Sequence, residues 1–361
     1  MKRHEARAYA RLRAGGGPLV WVMGSGLALA IIMIVGLLAL VVVNGTMTFW
    51  PKRLLSVELD GGRRLLGEVT RTESYRPEPE DLANLRPADA ERLLGQSGLE
   101  HRRLLRTGNF DLYGNDFQWV ADHEITEEAT YPADAWFIER REWGPFVGYM
   151  KEIRIDGAAV ASSPAGVEAR FHSLQPEARD RFARSATMER EEVGEINDAI
   201  EGLRLRLRGI ELEHGKESED YLTAEKASAD QQRELEARYQ RITEEIARMR
   251  TDDARYTVLL AEINGETKEL DLSEIVRAYR PNAMSRWEQS RTYLGRWWEF
   301  LSDEPREANT EGGVLPAIFG TVVMILVMSL AVAPLGVIAA LYMREYAKQG
   351  VALSAVRIAV N

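Results

Sequence analysis

Two long runs without a charged residue limit what this chain can become. One lies between Arg13 and Lys52 and spans 38 residues; the other lies between Glu311 and Arg344 and spans 32. A helix needs about 20 apolar residues to cross a hydrocarbon layer of roughly 30 Å. Both runs exceed that length, so a wholly soluble fold is excluded. No third segment is long and apolar enough, so a many-spanning channel contained in these 361 residues is excluded as well. Between the runs the chain is charged and ordinary in composition, and 29 Gly with 13 Pro exclude a collagen-like or disordered chain. Cysteine is absent, which removes disulfides, CxxC redox chemistry and thiolate metal sites.

The first run has its apolar core at residues 27–43 (LALAIIMIVGLLALVVV), with Trp21 before it and Phe49-Trp50 after it. Amphipathic rings suit the two bilayer interfaces. A cleaved signal peptide would need a shorter apolar region and an A-x-A-like site. VVVNGTMTFWP offers none, so the segment reads as an anchor. The N-terminal tail carries five cations against Glu5, a net +4. The C-terminal tail carries Arg344, Lys348 and Arg357 against Glu345, a net +2. The chain as a whole is −10, so the part between the runs holds −16. Lys and Arg beside membrane helices stay cytoplasmic. Both tails are therefore expected inside, with an acidic module outside. An acidic surface also argues against nucleic acid as a partner, because phosphate backbones demand basic patches.

Within the module, LLSVELDGGRRLLGEVT alternates around Asp60-Gly61-Gly62, a hairpin signal. Residues 103–112, 117–121, 135–140 and 149–155 also read as strands, the last ending in the turn pair Asp156-Gly157. Residues 76–99 read as a short helix or ordered loop. The period then changes. Val193, Ile196, Ile200, Leu203, Leu207 and Ile210 recur in steps of three and four, as do Leu235, Tyr239, Ile242, Ile246 and Met249. These are a/d seams, and they predict an antiparallel coiled-coil hairpin over 176–214 and 217–251, started by Pro176 and turned at Gly215. Pairing of the seams with another subunit is the alternative. Strand signals resume around Asn264-Gly265. Residues 285–301, with Trp287, Tyr293, Trp297, Trp298 and Phe300, read as an amphipathic helix on the membrane surface, or else as a core helix of the module.

Chemistry-bearing motifs are scarce. No G-x-x-x-x-G-K-[ST] phosphate loop is present, so ATP hydrolysis by that route is excluded. The histidines His4, His101, His123, His172 and His214 lack ligand spacing, and Asp122/Glu124 around His123 is a pattern that chance supplies in a chain with 56 acids. The sequence points to no enzyme, no cofactor and no metal site.

The second charge-free run carries a recognisable pattern. Gly312-Gly313 and Pro316 break the chain before the helix, and Pro334-Leu335-Gly336 is expected to interrupt it. Such breaks and small residues suit a helix that packs against other membrane helices. G-G-x-x-P-A-I-x-G-T followed by A-P-L-G-V-x-A-A-x-Y-x-x-E-Y-A resembles the phosphate ABC transporter permeases of PstA type. Gly312, Gly313, Pro316, Gly320, Thr321, Pro334, Gly336, Glu345 and Tyr346 are among the matching positions. EIVRAYRPNAMS, residues 274–285, is similar to a stretch in larger proteobacterial members. The likeness covers about 40 residues and extends to the PstC-type sister subunit.

This resemblance implies a bacterial inner-membrane subunit of a phosphate importer. Its partners would be a second permease subunit of PstC type, a cytoplasmic ATPase dimer, a periplasmic phosphate-binding protein and membrane lipid. It implies a membrane α fold, the first two transmembrane helices of a permease, with a large periplasmic α+β insert carrying the coiled-coil hairpin. Family members continue with about four more spans, so this chain is expected to be truncated after its second. The expected divisions are a cytoplasmic tail (1–19), a first span (20–49), a β-rich module in two parts (50–175 and 252–282) around the hairpin (176–251), an interfacial helix and linker (283–311), a second span (312–343) and a cytoplasmic segment (344–361). A permease for another solute and a two-span sensor or scaffold are the competing readings.

Overall fold

A computed structural model describes residues 17–76, 99–306 and 312–345. The chain divides into two compact units, Met1–Pro51 with Ser285–Glu299, and Lys52–Met284 with Phe300–Asn361.

The first unit is built on α1 (Gly17–Thr48). From residue 21 to 48 its large apolar side chains lie on every face, and none of them is buried. The unit also takes in most of α5 (Arg286–Ser302). This helix packs on the residues that follow α1. Phe49 lies against Trp297 at 4.9 Å between ring centroids, and Trp50 against Tyr293 at 5.5 Å. Arg296 donates to the Phe49 carbonyl at 3.2 Å.

The second unit is built on two antiparallel sheets. Strands β1 (Leu54–Glu58), β2 (Arg64–Tyr75), β3 (Glu100–Arg106) and β4 (Phe117–Ala121) form a four-stranded meander in sequence order. Its turn at Gly61 and Gly62 has φ of 91° and 77°, values that need residues without a Cβ. The larger sheet contains β5 (Trp136–Arg140), β6 (Phe146–Ile155), β7 (Ala158–Ala161), β8 (Tyr256–Ala261), β9 (Thr267–Asp271) and β10 (Ile275–Tyr279). Its order is β10-β5-β6-β8-β9, with β7 beside the far end of β6. Asp156 and Gly157, both at positive φ, make the two-residue turn from β6 to β7 that matches strand twist.

Two asparagines tie the sheets together. Asn282 donates to the carbonyls of Leu54 and Pro132, both at 2.8 Å, and accepts from Leu54 N–H at 2.9 Å. Asn264, in the β8–β9 turn, accepts from Arg64 N–H at 3.0 Å and donates to its carbonyl at 2.9 Å. Each completes a backbone pairing that strand ends otherwise leave open.

Helix α2 (Pro164–Thr187) starts at a Ser163 N-cap with Pro164 in the first turn. It lays Val167, Phe171 and Ala178 on Trp136, Ile138, Phe146, Ile153, Val258 and Leu260 of the large sheet, and these residues form the main core. A π turn (Met188–Glu192) leads into α3 (Val193–His214), and α4 (Glu219–Asp253) returns antiparallel to it. Helix α6 (Leu315–Glu345) is the second helix long and apolar enough to cross a membrane, and all of that span is exposed.

This architecture corrects the expected fold class. The chain is not a membrane α fold with a helical insert. Among the described residues only two helices are long and apolar enough to cross a membrane, and the bulk is built on two antiparallel sheets. Nor is a coiled-coil hairpin evident. Pro176 sits inside α2 rather than at a helix start, so the first part of the expected first arm, residues 176–187, belongs to the core helix of the sheet. Burial between α3 and α4 is concentrated on Ile196, Ile242 and Ile246 near their root, with Tyr221 beside the distal turn. Leu203, Leu207, Ile210 and Leu235 are half-open, and Tyr239 is exposed. The pair is packed at its root and half-open along the rest of its length. The expected break at Pro334 is also absent: α6 runs unbroken through it. The expected short helix or loop at 76–99 falls, apart from its ends, outside the described residues.

Removing 203–235 and bridging the gap with a short Gly/Ser linker is expected to shift the melting temperature of the detergent-solubilised chain by only a few degrees, because loop closure depends weakly on length. Removing 176–251 takes Ala178 and the end of α2 from the core and is expected to abolish cooperative melting. Equal behaviour of the two deletions refutes this division of the helices.

Candidate functional site

The residues singled out in the sequence fall on the approach to α6 and on α6 itself. Gly312 has φ of 96° and pairs antiparallel with Pro305. Gly313 donates to the Glu304 carbonyl at 3.0 Å, Val314 to Phe300 at 2.8 Å and Leu315 to Asp303 at 3.3 Å. The backbone of 312–315 thus closes onto that of 300–304. A Cβ at Gly313 would stand 2.0 Å from the Asp303 carbonyl oxygen, and one at Gly312 would stand 2.7 Å from that of Glu304. Both glycines are therefore required by close backbone approach. Pro316 occupies the first turn of α6, where its missing N–H costs no helical bond. Thr321 donates its hydroxyl to the Ala317 carbonyl at 2.7 Å. Gly320 and Gly336 have open space where a Cβ would be. Pro334 lies in mid-helix, Glu345 is exposed at its end, and Tyr346 lies outside the described residues. The structure joins Gly312, Gly313 and Pro316 in one turn and strings the others along a single exposed helix.

A second cluster was not legible in the sequence. Arg140, at the end of β5, is 2% exposed. Its guanidinium makes paired hydrogen bonds to Asp111 at 2.9 and 3.0 Å and donates to the carbonyls of Trp143 and Gly144 at 2.8 and 2.9 Å. Lys268 Nζ pairs with Asp111 as well. Burial alone would raise the Asp111 carboxyl, but the hydrogen bonds and charges of Arg140 and Lys268 outweigh it and hold it at about 2. This knot supports two loops with left-handed backbone at Gly108, Asn109, Gly114, Trp143 and Gly144. On their outer side Trp143 stacks on Phe110, and Tyr113 and Phe117 are also exposed. Tyr113 donates to Glu262 at 3.1 Å, and burial together with that carboxylate pushes its hydroxyl up to about 12. The one sequence signal was an arginine closing the apolar strand WFIER; its partner carboxylates lie in other loops.

His123, set aside in the sequence, also has a partner. Its Nδ1 lies 2.5 Å from Oε1 of the buried Glu100, whose other oxygen accepts from Tyr75 at 3.0 Å. Asp122 pairs instead with Arg103, and Glu124 bonds the Ala121 N–H. The arrangement closes the end of the small sheet. Among the described residues no group of three or more potential metal ligands occurs. Comparison with protein-family models, with curated proteins and with solved structures gives no match.

Two outcomes test this geometry. Gly313→Ala forces the 303–313 contact apart and is expected to lower the yield of folded chain severalfold, whereas Gly320→Ala is expected to be neutral; both are read by fluorescence-detected gel filtration. Asp111→Ala leaves Arg140 buried without its counter-charge and is expected to cost about 3 kcal/mol at neutral pH. The folded carboxyl titrates near 2, below an unfolded value of roughly 3.9, so its contribution is complete above about pH 4 and is lost as the pH falls toward 2. Melts of parent and variant should therefore converge only in that acid window.

Proposed function

We infer that this chain is a membrane subunit of an ATP-driven inorganic phosphate importer. In this reading α1 and α6 cross the bacterial inner membrane, both tails are cytoplasmic and the two-sheet unit stands in the periplasm. The observation that carries it is the form of α6. The chain turns into it through two glycines that admit no side chain, at the positions where the phosphate-permease resemblance begins. Among the described residues nothing covers Gly320, Thr321 or Gly336 of this helix. In lipid, small residues are where helices approach each other closely. Gly320 and Gly336 point about 160° apart at 3.6 residues per turn, so they offer two separate approaches. A lone anchor has no use for them, and a second permease subunit of PstC type supplies the matching helices. ATP hydrolysis then falls to a cytoplasmic ATPase dimer, and delivery of substrate to a periplasmic phosphate-binding protein. The −16 charge of the central part and the cationic tails give this orientation by the positive-inside rule.

Gly320→Leu and Gly336→Leu each fill one of these open positions without touching the described residues of this chain. Each is expected to reduce co-purification with the second permease subunit, and phosphate uptake in permease-deficient cells carrying the whole transporter, by about tenfold, the equivalent of losing roughly 1–2 kcal/mol of helix packing. Unchanged uptake and assembly in both variants overturn the reading. Normal assembly with uptake of a different solute favours a permease of another specificity.

A further inference from the structure

Helix α5 is held against the end of α1 by one face only. Tyr293 and Trp297 pack on Trp50 and Phe49, and Arg296 bonds the Phe49 carbonyl. The opposite face carries Trp287, Leu294 and Trp298, which are 78%, 64% and 73% exposed. These residues recur at steps of seven and four, so they share one side of the helix. Arg291, also exposed, lies among them. Left in water, such a stripe is costly, and three large apolar side chains in register mark a contact surface.

Depth identifies what covers it. Trp21 and Phe49 stand symmetrically, each 14 residues from Val35 in the middle of the apolar core 27–43. With Val35 at the bilayer centre and a rise of 1.5 Å per residue, the hydrocarbon edge falls near Gly45, about 15 Å away. Phe49 lies about 6 Å further, inside an interfacial layer roughly 5–7 Å thick. A helix fastened to Phe49 and Trp50 is fastened at headgroup depth. We propose that α5 lies in the bilayer interface as a collar on α1, with Trp287, Leu294 and Trp298 set into phospholipid and Arg291 reaching the phosphates. Tryptophan favours this layer because its ring is apolar and its N–H finds water or a headgroup. Arginine favours it because its stem can lie along acyl carbon while the guanidinium bonds phosphate. The collar fixes the depth of α1, since sliding the helix outward would lift three apolar side chains into water, and sliding it inward would drag Arg291 into hydrocarbon. The inference rests on α1 crossing the bilayer and is independent of the transported solute.

The absence of cysteine makes the test clean. Leu294→Cys, Glu288→Cys, Val160→Cys and Ile34→Cys are each introduced into the full chain, labelled with an environment-sensitive fluorophore and reconstituted in phosphatidylcholine/phosphatidylglycerol nanodiscs. Brominated lipid is expected to quench the label at 34 and, by roughly twofold, the label at 294, while iodide quenches those at 288 and 160. Iodide quenching at 294 equal to that at 160, with 34 still lipid-quenched, overturns the collar alone. Protection at 294 from both quenchers means that a second copy of the chain covers the face, and likewise overturns it. Absence of lipid quenching at 34 removes the span itself, and the collar with it.

Discussion

A helix that is apolar on every face has to be surrounded by something other than water. α1 and α6 are such helices, and among the described residues nothing buries either span. Backbone groups in them bond along the helix, as a hydrocarbon medium requires, except at the helix ends and at the carbonyl that Pro334 leaves without a donor. All other features follow from how the charged part of the chain is joined to these two rods. The first rod is finished by aromatic rings, Phe49 and Trp50, which are met by rings from α5. The second is begun by glycines, because the chain must fold back on 300–304 before it can start. One junction relies on large side chains and the other on their absence.

The sheet-rich unit is organised differently, by long-range pairing. α2 is its keystone, since Val167, Phe171 and Ala178 cover the middle of the large sheet. The strands beneath come from both sides of the α2–α4 excursion: β6 pairs with β8, and β5 with β10. The small sheet contributes its own core of Leu55, Val57, Leu65, Leu105 and Val120. It then shares a second cluster with the large one through Leu54, Leu66, Phe137 and Val147. α3 and α4 add little to either core, which is why their apolar period misleads: the pattern records local amphipathicity, while burial depends on how many layers are present.

Local signals were legible wherever turn chemistry was explicit. Residues 117–121 form β4 as read, and the turn pairs Gly61-Gly62 and Asp156-Gly157 place two hairpins. The strand expected over 103–112 stops at Arg106 instead, and left-handed Asn109 and Gly114 bracket Phe110–Tyr113 as a helical turn. The start of α2 was written in Ser163-Pro164, a cap followed by a first-turn proline, and was passed over for Pro176 in the same helix. What no local pattern carries is partnership across the chain. Asp111 meets Lys268 over a separation of 157 residues, and Asn282 meets Leu54 over 228. The glycines of the permease-like motif were legible as breaks, yet the reason for them, the carbonyl of Asp303, was not.

Asn282 gives the resemblance at 274–285 a physical content. The second unit begins at Lys52 and its central stretch ends at Met284, so Leu54 and Asn282 lie just inside the two ends of that stretch. One carboxamide holds both ends, bonding Leu54 through N–H and C=O and reaching Pro132 with its second N–H. An aspartate could accept from Leu54 but could not donate to either carbonyl, and a glutamine would place the group a carbon too far out. Before it, Arg280 bonds Glu168 of α2 at 2.6 Å and lies over the ring of Trp136. Tyr279 packs on Phe137. The run Tyr279, Arg280, Asn282 therefore links the core helix, the large sheet and the first strand within four residues. A domain that leaves and rejoins apolar helices needs its two ends held together, or strain on either connection would peel away an edge strand. Here the residues that close the neck are the ones that the sequence presented as a motif.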